Sequence, residues 1–344
     1  MTRPSRSARI LVPLLLLAAP VLAACGGSGD GGEEGNGDEA LVVYVGRDEE
    51  LVAPLIEQFT DETGIEVEAR YAGTTDHLAT LLEEGDNTPA DVFLSQDAGA
   101  LGALSDADML QPLSAEITDA VRPGFTSTDG SWVGVTGRAR VIAYNSDALT
   151  ENEVPDSVLA LTDDTWEGRV GFPPGNASFQ AFVTAFRVAE GDDAAKSWLE
   201  GMAGNDVQTF ESNGDVLEAV DSGVLDLGLI NHYYLYRNAA EVGMDNLTAR
   251  LKFPAAGDPG ALVNVTGAGA LSEHPAAEEF IAYLVSEDGQ RYFVEETFEY
   301  PLVPSVEAPE GLPSLDDIDG PISDLGDLAD LEASLLMIDE AGLS

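Results

Sequence analysis

A regular alternation of short apolar runs with amphipathic helical stretches, kept up from residue 41 to about residue 310, constrains the fold more than any other feature. Leu41-Val42-Val43-Tyr44-Val45 reads as a buried strand, and Glu49 to Thr63 as a helix with Leu51, Val52, Leu55, Ile56 and Phe59 on one face. Gly64 is placed to end that helix. Residues 65–71 alternate as a half-buried strand should. A helix over 77–84, a strand over 91–94 and a helix over 97–105 follow, then strand-like runs at 132–136 and 139–144. The strand 169–172 ends at Pro173-Pro174, and helices are expected over 177–189, 193–203 and 215–221. The strand 225–230 runs directly into a helix starting near Asn231. An apolar stretch at 261–271 and helices over 275–286 and 288–296 complete the series, with no internal repeat. Such alternation implies an α/β fold of mainly parallel sheets covered by helices. Ligands in these sheets sit beyond the carboxyl ends of strands, here the loops at 46–48, 95–97, 173–178 and 231–234.

The first 25 residues carry a different signal. Arg3, Arg6 and Arg9 make a basic start, Ile10 to Ala19 is apolar apart from Pro13, and small residues lead to Cys25. That order marks an export signal, and its apolar core is too short to span a bilayer comfortably. Leu22-Ala23-Ala24-Cys25 resembles the bacterial lipoprotein signal, in which the cysteine becomes residue one and is acylated. A buried thiol is the competing reading. A disulfide within the chain is excluded, because Cys25 is the only cysteine. The expected division is therefore a signal peptide over 1–24 and a flexible acidic linker over 25–40, reading GGSGDGGEEGNGDE from residue 26. The implied location is extracytoplasmic, lipid-anchored to the cell membrane.

Charge narrows the partners. The chain holds 15 basic and 63 acidic residues, so loss of the three signal arginines leaves 12 against 63, a net −51. Nucleic acid and anionic lipid surfaces both need basic patches and are not expected to bind. Only Lys196 and Lys252 are lysines, and scarce lysine in so acidic a chain reads as a solvated surface suited to salt. Residues 312–344 mix leucine with Asp and Gly and are expected to pack along the surface, with a helix over about 327–340.

The segment with most chemistry is Leu229-Ile230-Asn231-His232-Tyr233-Tyr234-Leu235-Tyr236-Arg237, where a strand ends and a helix begins. Free backbone N–H groups at such a start favour an anion. Two adjacent phenols sit in the same turn. A phenol normally keeps its proton to about pH 10, but a bound cation drives deprotonation of its ligands. Paired tyrosinates with an oxygen-donor anion suit a hard cation such as ferric iron, and suit zinc or copper poorly. The competing reading of vicinal tyrosines is one core ring and one surface ring. His232 differs in direction from both tyrosines and reads as a structural hydrogen-bonder. Arg138 and Arg140 are two apart on a strand and project to one face; one reaching the cleft, or ion pairs with surface carboxylates, are both open.

The chain from Leu41 onward resembles the ferric-iron-binding proteins of ABC importers, within the periplasmic binding-protein superfamily. The resemblance is carried, in order, by VVYVGRDEELVAPLIEQFTDETGIEVEARY, ADVFLSQDAGALGAL, WVGVTGRARVIAYN, WEGRVGFPPGNASFQAFVTA, LINHYYLYR and GALVNVTGAGAL. It implies two α/β lobes joined by two crossing strands and closing like a jaw, the class II type. Lobe 1 would be 41–137 plus 265–310, lobe 2 would be 138–264, and 311–344 a C-terminal tail; the hinge strands lie near 137–141 and 262–268. It implies Tyr233 and Tyr234 as iron ligands. The family's histidine after the first strand is absent, and Asp48 falls at its position. Ser95 stands where some members have an acidic ligand, and Phe179 where others have a further tyrosine. A synergistic carbonate- or phosphate-like anion is implied on Arg47, Gln96, Ala177 (through its N–H), Ser178, Asn213, Asn231 and Arg138. The resemblance implies capture of Fe(III), delivery to an ABC permease and its ATPase, and a monomer.

Enzyme chemistry finds no support in the sequence. There is no G-x-S-x-G elbow, P-loop or dinucleotide fingerprint, and the glycines at 26–37 follow no strand. The alternative functions are a same-fold receptor for a small anion such as a phosphonate or carboxylate, and a surface sensor or adhesin.

Overall fold

The alternation builds two sheets that share one long strand. In the computed structural model the described residues are 40–318, 320 and 324–344. The export signal, Cys25 and nearly all of the linker lie outside them. The elements in chain order are β1 (Leu41–Val45), α1 (Glu49–Thr63), β2 (Val67–Tyr71), α2 (Thr74–Glu84), β3 (Val92–Ser95), α3 (Ala98–Asp106), α4 (Ala115–Thr118) and β4 (Trp132–Asn145). Then come β5 (Val170–Phe172), α5 (Ala177–Glu190), α6 (Asp192–Gly204), β6 (Gln208–Thr209), α7 (Asn213–Asp221), β7 (Leu227–Asn231) and α8 (Tyr233–Val242). The chain closes with β8 (Ala249–Lys252), β9 (Val263–Ala270), α9 (Pro275–Leu284), α10 (Glu287–Tyr292), β10 (Tyr300–Pro301) and α11 (Leu331–Glu340).

The first sheet runs β2-β1-β3-β9-β4-β10, and the second holds β8, β4, β7, β5 and β6. Both are mixed rather than mainly parallel. β1 is parallel to β2 and β3, and β5 to β6 and β7, but every pairing of β4 and β9 is antiparallel. The cause is β4 itself. Its two expected runs are one strand of 14 residues, buried throughout. It pairs β9 from Trp132 to Ala139 and β7 from Arg140 to Tyr144. A bulge between Gly134 and Thr136 bends it within the first sheet.

Helix boundaries follow local chemistry. Gly64 closes α1 in the left-handed region (φ 75°), its N–H bonded to Thr60 O. The core joins the two sheets continuously, from Leu41, Val43 and Phe93 through Val265 and Ala268 to the aromatic group of Phe172, Phe179, Phe182, Phe186 and Trp198. The last segment is anchored to the body by Leu325, Leu328, Leu331 and Ile338, all buried. Gly99 lets it approach, since a Cβ there would lie 2.4 Å from Leu328 O. Arg187 on α5 pairs with Asp330 at 2.9 Å, and Thr184 shares a 2.7 Å hydrogen bond with Ser334. Among the described residues no helix is long and apolar enough to cross a membrane.

Candidate metal and anion site

The tyrosine junction is built by β7. Its five residues are all buried, so the strand is held by packing on both faces until the chain turns at His232. The helix begins at Tyr233, two residues later than Asn231. Tyr233 and Tyr234 stack on each other, with ring centroids 4.4 Å apart and 27° between planes. One is therefore not a core ring and the other a surface ring pointing away. Tyr233 is buried and Tyr234 half-buried. Burial pushes the Tyr233 phenol well above its ordinary pKa, and Tyr234 adds to the shift, while Arg47 and Arg138 act against it. The phenol is neutral until something positive displaces its proton.

Beside the tyrosines lies Arg140, at the register where β4 meets Asn231 of β7. Its Nη1 donates to Ser178 Oγ at 3.2 Å, and to Asn213 Oδ1 and Asn231 Oδ1 at 3.4 Å each. Nη2 donates to Leu229 O at 3.2 Å, and the guanidinium lies over the Phe179 and Phe182 rings at 5.5 and 5.7 Å. Thus Phe179 is a platform for an arginine. Burial lowers Arg140 to about 9, despite support from the phenol of Tyr234. Three helix starts converge on this cation. Asn176 caps α5 by accepting from Ser178 N–H at 3.0 Å, Ser212 and Asp215 form a capping box on α7, and α8 starts at the tyrosines. Asn213 and Ser178 sit in first turns, where free N–H groups favour negative charge.

Arg138 behaves differently from its neighbour. It sits where β4 pairs Asn264 of β9, and its Nη2 donates to Val265 O at 3.1 Å. Its Nε lies 3.9 Å from Glu299. The arginine that joins the Ser/Asn group is Arg140, and the reason is the change of partner strand between the two positions. Arg47 is buried too. It pairs with Glu299 (Nη2 to Oε1, 2.9 Å) and donates to Thr266 Oγ1. Burial opposes its charge, but the Glu299 carboxylate together with Tyr233 and Tyr234 outweighs that and raises its pKa.

A cavity of about 510 Å³ opens between the loop after β1 and the start of α5. Arg47, Asp48, Gln96 and Ala177 all line it, together with Gly46, Thr74, Asn176, Gln180 and Glu211. Asp48 is exposed and makes no cap hydrogen bond with α1. Gln96 is anchored by its backbone N–H to Thr74 Oγ1 at 3.0 Å. Ser95 is buried, its hydroxyl spent on Asp97 O at 2.8 Å. The expected residues thus fall into two groups. Arg47, Asp48, Gln96 and Ala177 share the cavity; Ser178, Asn213 and Asn231 meet at Arg140.

His232 accepts from Ala139 N–H through Nδ1 (3.1 Å) and so donates through Nε2 to Phe298 O (2.9 Å). Both ring nitrogens are occupied by backbone, which leaves none for a metal. Burial lowers its pKa to about 4. Tyr44 stacks on His77 at 4.8 Å with its hydroxyl 3.2 Å from Glu84. His77 is buried there and bonds Arg70 O. Tyr236 turns to Phe298 and donates to Gly311 O.

The residues present fit an anionic oxygen ligand with a hard cation. Arg140 Nε, Arg138 Nη1 and Asn231 Nδ2 are buried N–H groups with no hydrogen-bond partner among the described residues. A surplus of donors is satisfied by phenolate or oxyanion oxygen. Among the described residues no group of three or more His, Cys, Asp and Glu is arranged for a metal ion, so a metal here would rest on phenols.

Fold and site together define an extracytoplasmic receptor with two α/β lobes. The family model for "Bacterial extracellular solute-binding protein" matches residues 87–317, and the chain belongs to that family. It is similar to the Fe(3+)-binding periplasmic protein of Serratia marcescens, 33% identical over 337 residues, which cover 97% of this chain and 98% of that one. It is likewise 33% identical over 310 residues to the major ferric iron-binding protein of Neisseria meningitidis serogroup B, covering 88% of this chain and 93% of the other. The crystal structure of iron-bound HitA from Pseudomonas aeruginosa matches with a TM-score of 0.84 at 34% identity, covering 88% and 99% of the two chains.

Proposed function

We propose that this protein captures ferric iron outside the cytoplasm and delivers it to an ABC-type import permease. The observation that carries the reading is the stacked phenol pair at a helix start beside three buried guanidiniums. Fe(III) displaces the phenolic protons of Tyr233 and Tyr234, which leave to water, and is bound by the two phenolates. A carbonate- or phosphate-like anion completes the shell on Arg140, Ser178, Asn213 and Asn231, with the Ala177 N–H, Gln96 and Arg47 at its rim. Asp48 lines the same cavity and is the one carboxylate proposed to reach the metal when the lobes close. Arg138 backs the site through Glu299. The proposed lobes are 41–137 with 265–310, and 138–264, with 311–344 as a tail. The strands near 137–141 and 262–268 form the hinge.

The relatives' names support iron as the cargo, and the donor set supports the oxygen chemistry. Acylated Cys25 would hold the receptor at the membrane, next to its permease. Radiolabelled palmitate should appear in the parent protein and be absent from Cys25→Ala.

Fe(III) titration tests the cargo. Binding should bring up a visible tyrosinate-to-iron band together with saturable uptake in the presence of bicarbonate or phosphate. A second reading, a receptor for a small anion alone, draws on the donor surplus and on the exposure of Asp48. Tight phosphate or phosphonate uptake by a protein that stays colourless with Fe(III) would favour it.

A further inference from the structure

Glu299 lies outside every expected ligand group, yet it is wholly buried behind the site. Its carboxylate faces Arg47 at 2.9 Å and Arg138 at 3.9 Å, and accepts from Thr136 Oγ1 at 3.0 Å and Thr297 Oγ1 at 3.2 Å. It is the one buried carboxylate in ion-pair contact with these arginines among the described residues. The segment carrying it is fixed on both sides. Phe298 holds a left-handed backbone (φ 59°), costly for a residue with a Cβ, and its carbonyl accepts from His232, the residue before Tyr233. Tyr300 pairs Gly137 of β4.

Near the phenols, among the described residues, lie the buried Arg47, Arg138 and Arg140 and, on α8, Arg237, which is paired with Glu50. Glu299 holds the first two, the buried Asp97 acts on Arg138, and Asp48 lines the cavity. Without the Glu299 carboxylate the pocket would carry a further uncompensated positive charge. Such a pocket draws anions and repels a trivalent cation. We infer that Glu299 is a positioning residue that holds Arg47 in place and sets the balance between oxyanion and metal, so that the site takes iron with its anion instead of the anion alone. The inference rests on the iron reading above.

Two titrations test it, on the parent, Glu299→Gln and Glu299→Asp. Phosphate binding to metal-free protein is measured by calorimetry. Fe(III) affinity is measured by competition with citrate at saturating phosphate, read on the visible band. A fixed charge this close is expected to shift each affinity by about tenfold in Glu299→Gln, phosphate tighter and iron weaker. Glu299→Asp keeps the charge and should stay within about threefold of the parent in both. A merely structural residue would weaken both ligands together. Any result in which the two affinities of Glu299→Gln fail to move in opposite directions overturns the inference. If the Gln variant does not fold, Glu299→Asp decides: parent-like affinities support the charge role, and loss of both overturns it. A parent protein that gives no visible band with Fe(III) removes the iron reading itself, a different outcome from a parent with a band and an unresponsive Glu299→Gln.

Discussion

Tyr233 and Tyr234 would ordinarily diverge, because consecutive helical residues point about 100° apart. Here their rings nonetheless stack in the first turn of α8. Groups that merely support a metal ligand commonly cost 10–100-fold when removed, so Tyr233→Phe or Tyr234→Phe should weaken Fe(III) binding by at least about a hundredfold, measured by citrate competition. The parent's affinity should also fall steeply with acid. The phenol of Tyr233 is neutral well above pH 10 without metal, so every phenolate formed releases a proton, and Fe(III) affinity should drop by about tenfold per pH unit for each. Arg140→Met should weaken phosphate by tenfold or more. The phenol pair was legible in sequence at its strand-to-helix junction, whereas the Asn/Ser set was named only through the family resemblance. Arg138 and Arg140 could not be told apart there, because a spacing of two puts both on one face and only the partner strand separates them. Glu299 was invisible for a plainer reason: it is one of 63 acidic residues, and only burial distinguishes it.

At the scale of elements, the site depends on β4 being continuous. Read as two runs, it hid the point where pairing passes from β9 to β7 between Ala139 and Arg140. Glycines at 134 and 137 lower strand propensity there, yet tertiary pairing overrides it, and Gly134 is needed because a Cβ would lie 2.8 Å from Phe125 O. His232 stitches β4, the start of α8 and the 297–301 segment through two backbone bonds. Its folded pKa of about 4 sits below the unfolded value, so the folded state keeps it neutral while the unfolded chain takes a proton near 6.5. Its stabilisation is whole above about pH 6.5 and is lost as pH falls toward 4, by up to about 3 kcal/mol. Urea unfolding at pH 7 and pH 4 should show that loss, and the loss should shrink by about the same amount in His232→Gln. The convergence of the helix starts capped by Asn176 and Ser212 on one guanidinium was not readable in sequence, because it joins residues far apart in the chain.

For the molecule as a whole, the alternating pattern was enough to give an α/β fold, and the order of motifs enough to give two lobes. The mixed sheets were not readable, since periodicity sets burial but not strand direction. The charge has its own consequence. With 15 basic and 63 acidic residues, self-repulsion opposes the compact state. Screening shortens from about 30 Å at 0.01 M salt to about 3 Å at 1 M. The melting temperature of the metal-free protein should therefore rise with sodium chloride across that range, checked by calorimetry; a flat profile would mean that the surface carboxylates are already compensated. In the proposed reading the lobes matter because their closure hides iron from water, and the proposed hinge strand near 137–141 carries Arg140, which joins Ser178, Asn213 and Asn231. The central claim is that one iron is held by both vicinal phenols. Anomalous scattering at the iron edge, from crystals grown with Fe(III) and bicarbonate, tests it most directly. The account predicts a single strong peak within bonding distance of the Tyr233 and Tyr234 oxygens, with an oxyanion between it and Arg140. A peak elsewhere, or one bonded to neither phenol, would contradict it.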